Sequence, residues 1–167
     1  MSSDWSRTEG LDYLRDKVKE IKTAMLTTYS EEHGFSSRPM GTADIDGDGN
    51  IWFFTNEYSP KVSEISMENT VSLTYSDVEN HTYLSIVGEA KVEDDKAKMK
   101  ELWNPFVQAF FPEGLDDPKL TLLKVIPNDA EYWDSSSSRM VVLFNMLKAR
   151  LTGKQYDEGK HGKVDLN

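Results

Sequence analysis

Between Ser37 and Lys61 the chain reads SRPMGTADIDGDGNIWFFTNEYSPK, and no other stretch constrains the fold as tightly. Its centre, Asp46-Gly47-Asp48-Gly49-Asn50, is turn-forming and lies between two strand-favouring runs, which predicts a β-hairpin. Ser59-Pro60-Lys61 then supplies a helix start, with Ser as N-cap and Pro at the first helical position. Pro39 lies inside the first strand. Proline donates no ladder hydrogen bond, so an edge position or a bulge is expected there.

The rest of the chain surrounds this hairpin with further short strands and a few helices. Leu11, Leu14, Val18 and Ile21 recur at helical spacing over Gly10 to Lys22, an amphipathic covering helix with Thr8 as the expected N-cap. Ala24–Tyr29, Val71–Ser76 and Tyr83–Val92 read as strands, with Gly88 marking a bulge or a close backbone approach. Asp94 is expected to cap a helix that stops at Asn104-Pro105. Phe106, Phe110 and Phe111 form an aromatic cluster behind it. Leu120–Ile126 and Ala130–Trp133 read as two strands broken by Pro127-Asn128. Ser135–Ser138 is a connector, Met140 to Leu151 a final apolar helix, and the polar chain beyond Gly153 a frayed tail. Short strands at this spacing favour a small β-barrel over a doubly wound sheet, and no Gly-rich dinucleotide fingerprint or P-loop is present.

Charge and composition remove several function classes. A net charge of −10 repels nucleic acid and anionic membrane surfaces. No apolar run is long enough to span a bilayer, and a cytoplasmic home is expected. Without cysteine there is neither thiolate catalysis nor Cys-ligated zinc. His33, His81 and His161 are isolated, with no metal-ligand spacing. Asp44, Asp46, Asp48 and Gly49 imitate the first half of an EF-hand loop. The twelfth position, however, is Thr55 rather than Glu, and the flanks read as strands. The hairpin turn is the preferred reading and no metal is expected.

In so acidic a chain, two cations at the ends of one motif are informative. Arg38 and Lys61 supply charge, Thr55 and Ser59 hydroxyls, and the helix start free N–H groups and a partial positive charge. Trp52, Phe53 and Phe54 offer an apolar wall. Such a set suits a phosphorylated aromatic ligand. No catalytic acid–base pair can be picked out.

Arg38-Pro39-Met40, Trp52-Phe53-Phe54-Thr55-Asn56 and Ser59-Pro60-Lys61 together resemble the pyridoxamine 5′-phosphate oxidase-like FMN-binding split barrels. Val71–Ser76, Tyr83–Ala90, Glu101–Pro105 and Glu131–Asp134 resemble their general stress protein 26 branch, so the likeness covers roughly residues 8 to 135. The resemblance implies a mainly β chain, a six-stranded split barrel with peripheral helices over residues 1–152, followed by a polar tail at 153–167. It implies a homodimer with FMN in clefts between subunits. Arg38 and Lys61 would hold the phosphate, with Ser59 and Thr55 bonding phosphate and ribityl chain. Pro39 and Met40 would lie under the isoalloxazine, with Asn56 nearby. Trp103 is either an aromatic wall given by the partner subunit or a buried helix-end Trp. The founding oxidase grips its substrate with C-terminal Trp and Arg residues. Here Arg139 and Arg150 stand in an unrelated arrangement and no Trp follows Trp133, which argues against pyridoxamine phosphate as substrate. The resemblance thus implies a flavin-dependent oxidoreductase with a small-molecule electron donor or acceptor, or alternatively a non-catalytic flavin-binding stress protein. It does not decide between FMN and a larger flavin.

Overall fold

The computed structural model describes residues 6–134 and 160–166. Helix α1 (Arg7–Ile21) leads into β1 (Thr23–Ser30), β2 (Gly34–Ile45) and β3 (Ile51–Asn56). Then come α2 (Pro60–Met67), β4 (Thr70–Asp77) and β5 (Thr82–Glu93). Two short helices, α3 (Lys96–Leu102) and α4 (Pro105–Phe110), and a 3-10 turn at Gly114–Asp116 precede β6 (Leu120–Asp134); β7 is Lys160–Asp165. The strands run in the order β3-β2-β1-β4-β5-β6, and pairing of β3 with β6 closes them into a six-stranded antiparallel barrel. Closure shortens the open edges that a sheet of this size would otherwise expose.

The period-two pattern anticipated for the strands is what fills the barrel. Ala24, Leu26 and Thr28 of β1, Val71, Leu73 and Tyr75 of β4, and Leu84 and Ile86 of β5 point inward and are buried. Strand β3 breaks the alternation, because Ile51, Trp52 and Phe53 are all buried. Phe53 faces the barrel core, while Trp52 faces a second cluster with Met99, Leu120 and Leu122, joined by Phe54, Leu102 and Trp103. An apolar run therefore arises where a strand is covered on both sides.

Several boundaries differ from the sequence-based expectation, each for a local reason. Ser6, not Thr8, caps α1, because Ser6 and Glu9 form a reciprocal capping box that satisfies two backbone donors at once. Asp95 rather than Asp94 caps α3, its carboxylate accepting from the Lys98 N–H at 2.9 Å. Asn104 does not merely end a helix but caps the next one, accepting from Phe106 N and Val107 N ahead of α4. Leu120–Asp134 is one strand, not two. Its register against β5 slips between Val87↔Asp129 and Gly88↔Pro127, so Asn128 is accommodated as a bulge. Of the bulge or close backbone approach expected at Gly88, the structure shows the close approach, opposite a bulge that belongs to β6.

Downstream, residues 160–165 of the polar tail form strand β7 against β6 rather than fraying. His161 stacks on Trp133 there, ring centroids 5.0 Å apart. The serine connector and the helix expected at Met140 to Leu151 lie outside the described residues.

Candidate functional site

The hairpin turn is organised by one carboxylate. Asp46 accepts from Asp48 N and Asn50 N at 3.0 Å each, from Asn50 Nδ2 at 3.1 Å and from Trp52 Nε1 at 2.9 Å. Burial acts to raise its pKa, but these hydrogen bonds, the Trp52 one foremost, outweigh burial and hold it below the ordinary carboxylate value. The calcium-loop imitation is thereby explained: the aspartate is spent on its own turn, between strands. Asp46→Ala leaves the indole N–H of Trp52, a residue only 7% exposed, without its acceptor. We expect it to lower stability by about 2–3 kcal/mol, the scale of hydrogen bonds to a charged group. Urea unfolding checks this, and a loss below about 0.5 kcal/mol would show that the turn closes without the carboxylate.

Pro39 sits opposite Met25 in the β1–β2 register, beyond the point where β3 stops pairing with β2. The Thr42 N–H donates to Lys22 O at 2.7 Å. Alternation along the strand then turns the Pro39 nitrogen away from β1, to a side where no ladder partner is needed. This is the edge position expected for it.

Beside this edge lies a cavity of about 530 Å³, within the usual range for a small-molecule site. Pro39, Met40, Thr55, Asn56 and Lys61 line it, so five of the candidate residues meet around one space. Its wall is two-sided in character. Phe54, Phe106, Phe110 and Phe111 make an apolar surface, whereas Thr55, Asn56 and Lys61 cluster where β3 ends and α2 begins. Thr55 is 3% exposed, and its Oγ1 has no hydrogen-bond partner among the described residues. A buried hydroxyl in that state is costly unless a ligand or water satisfies it.

The two cations face different partners. Lys61 reaches the cavity and donates to Ser59 Oγ at 3.3 Å, so Ser59 supports the lysine instead of capping α2 with its side chain. Burial lowers the Lys61 pKa, the nearby Arg38 charge lowers it further, and Glu64 partly opposes both. The ammonium is therefore under-compensated, and an arriving anion would restore its proton affinity. Arg38 points to the inner side of β2. Its Nη1 donates to Thr28 Oγ1 at 2.6 Å and its Nη2 to Glu64 Oε2 at 3.1 Å, within a largely buried ion pair.

A family model of pyridoxamine 5′-phosphate oxidase-like proteins matches residues 9–157. The chain belongs to this family. A general stress FMN/FAD binding protein from Xanthomonas citri is 30% identical, the match covering 80% of this chain and 93% of that one, with a TM-score of 0.68. A protein classed with general stress protein 26 in Jannaschia sp. CCS1 shares the fold at a TM-score of 0.74 and 23% identity, covering 96% of this chain and 99% of that one. Protein bli-3 of Neurospora crassa is 23% identical over 143 residues, which is 80% of this chain and 68% of that protein.

Trp103 follows α3, and its ring meets Phe54 edge-on at 5.7 Å. It packs in the outer cluster, with Phe54 standing between that cluster and the cavity. The sequence reading passed over Gly41–Ala43, Asn104, Val107 and the Phe106–Phe110 pair as cavity residues. Asn104-Pro105 carried a usable signal, since it repeats the cap-then-proline grammar of Ser59-Pro60. Glu64 carried none, being one acidic residue of many on a helix. Among the described residues no helix is long and apolar enough to cross a membrane.

Proposed function

We propose that the cavity holds the flavin of an FMN-dependent oxidoreductase acting on a small molecule, with the site completed by a second copy of the chain. The observation that carries this reading is the half-buried, under-compensated Lys61 ammonium at the polar end of a cavity whose other wall is aromatic. A phosphate carries close to two negative charges near neutral pH and matches that corner. Thr55 Oγ1 and Asn56 would bond the polar chain between phosphate and ring. The phenylalanine wall suits the ring itself. When bound, the flavin supplies the redox chemistry, while this chain's residues bind, orient and desolvate it.

The outer face of β2, β1, β4 and β5 supports the homodimer. It presents Phe35, Ser37 and Pro39, then Met25, Thr27 and Tyr29, then Ser72, Thr74 and Ser76, then Tyr83, Ser85 and Val87. None of these twelve residues is charged, in a chain of which 29% is charged; the charges on this face, Glu89 and Lys91, stand farther along β5. Phe35 is 79% exposed and Tyr29 40%, their rings 5.2 Å apart. An uncharged patch of aromatic, aliphatic and hydroxyl side chains that reaches the cavity through Pro39 suits a second copy, whose charges would not oppose it there.

FMN titration followed by flavin fluorescence tests the site. Lys61→Ala and Arg38→Ala are each expected to weaken FMN binding by about 1.5–3 kcal/mol. Unchanged affinity in both variants would place the phosphate elsewhere. Reduction of bound flavin by NADPH or NADH, followed by turnover with an acceptor, is the expected outcome for an oxidoreductase. Reduction by dithionite alone would assign the chain to non-catalytic flavin binding.

A further inference from the structure

Glu64 stands one helical turn beyond Lys61 on α2; its carboxylate pairs with Arg38 and lies near enough to Lys61 to oppose the lowering of that lysine's pKa. Its side chain is 13% exposed and that of Arg38 23% exposed. One oxygen, Oε2, takes a hydrogen bond from Arg38 Nη2 at 3.1 Å and another from the Thr28 hydroxyl. The Thr28 hydroxyl in turn accepts from Arg38 Nη1 at 2.6 Å. The arginine is thus gripped on two of its nitrogens by a carboxylate and a hydroxyl that the carboxylate orients. Lys61 is bonded only to a neutral group, Ser59 Oγ, among the described residues.

The charges sum simply. Arg38 and Lys61 contribute two positive charges and Glu64 one negative, so the corner has a net charge of one positive. A phosphate dianion bound at Lys61 would feel that carboxylate across a partly desolvated space, where Coulomb repulsion is weakly screened. It also meets an arginine whose Nη2 already serves an anion. We propose that Glu64 is an internal stand-in for the ligand phosphate, holding Arg38 in readiness and setting a deliberate ceiling on affinity for phosphorylated over unphosphorylated ligand. This rests on the flavin reading above. It adds a residue that determines how strongly the site distinguishes FMN from riboflavin, which shares the ring and ribityl chain and lacks only the phosphate.

The consequence has a sign opposite to that of ordinary site mutations. Glu64→Gln keeps the shape and an acceptor for Arg38 and Thr28 while removing the charge. FMN should bind the variant about tenfold more tightly than wild type, as expected from removing one like charge across that space. Riboflavin affinity should stay within about threefold, since no phosphate meets the corner. Glu64→Ala, which also removes the charge, should move the FMN-to-riboflavin ratio in the same direction even if its stability falls. The experiment is a parallel titration of wild type and both variants with FMN and with riboflavin, at low and high salt. Selective tightening of FMN that shrinks with salt is the expected result. Equal changes for both ligands, or weaker FMN binding, would overturn the stand-in role and leave Glu64 a structural partner of Arg38. A wild-type protein that binds neither ligand would overturn the flavin reading itself, and the inference with it.

Discussion

Gly88→Ala is expected to destabilise the chain by about 3–5 kcal/mol, more than the ordinary cost of overpacking a core. A Cβ built at Gly88 would lie 2.3 Å from Ile126 O, 2.9 Å from Ile126 C and 3.0 Å from Pro127 Cα. All three atoms are backbone, so no rotamer change relieves the clash. Nor can the strand retreat. Ile126 is paired with Glu89, Pro127 has its φ fixed by its ring, and the β6 bulge is seated at this point. The β5–β6 ladder runs from Thr82 to Glu93, so a shift there disturbs the longest seam of the barrel. Against a total stability of about 5–15 kcal/mol, the loss is large, and the melting temperature should fall by about 10 °C or more. Gly47→Ala is the matched control, because an added Cβ at Gly47 meets nothing within 4 Å. A Gly88→Ala protein melting within a few degrees of that control would show that the bulge has room to spare.

Replacing Ser72 and Thr74 together by Glu is expected to abolish self-association and, with it, most flavin affinity. Both residues lie on β4 with side chains on the uncharged part of the outer face, Thr74 between Met25 and Ser85, and Ser72 between Thr27 and Val87. In a two-fold interface each substitution appears twice, so four new carboxylates would be buried in a contact between two chains that already carry −10 each. Like charges brought together in an interface cost several kcal/mol, enough to raise the dimer dissociation constant by more than about 100-fold. Analytical ultracentrifugation should find wild type at twice the 19.1 kDa chain mass and the double variant at the chain mass. Neither substituted residue faces the barrel core, so circular dichroism should retain its β signature. A wild-type monomer that binds FMN as tightly as the double variant does would remove the second copy from the site.

Much of this molecule was legible before any coordinates. The hairpin, the Ser59-Pro60 helix start, the inward alternation of β1, β4 and β5, and the irregularity at Gly88 all follow from local rules. Turn residues, proline and period-two burial act within a few residues of one another. Their effects can therefore be read without knowing what lies across the barrel. The same locality explains the boundary errors. Ser6 against Thr8 and Asp95 against Asp94 are competitions between adjacent caps, decided by which side chain reaches an N–H. The Pro127 interruption was misread because a bulge lets a strand continue past a proline, provided a partner such as Gly88 offers space.

The stretch from Ser37 to Lys61 by itself determined that cations, hydroxyls and an aromatic strand would be gathered near one hairpin and one helix start. Chain connectivity alone forces that proximity. Tertiary structure decided which of them face the same space. Barrel closure turns Pro39, Met40, Thr55, Asn56 and Lys61 toward one cavity and brings α4 across it from far along the chain. It also turns the Arg38 side chain to the inner side of its strand, where Glu64 and Thr28 bind it. A side chain's charge is written in the sequence. Its counter-ion is not, because the partner is chosen by packing between elements whose separation in the chain carries no information about their distance in space.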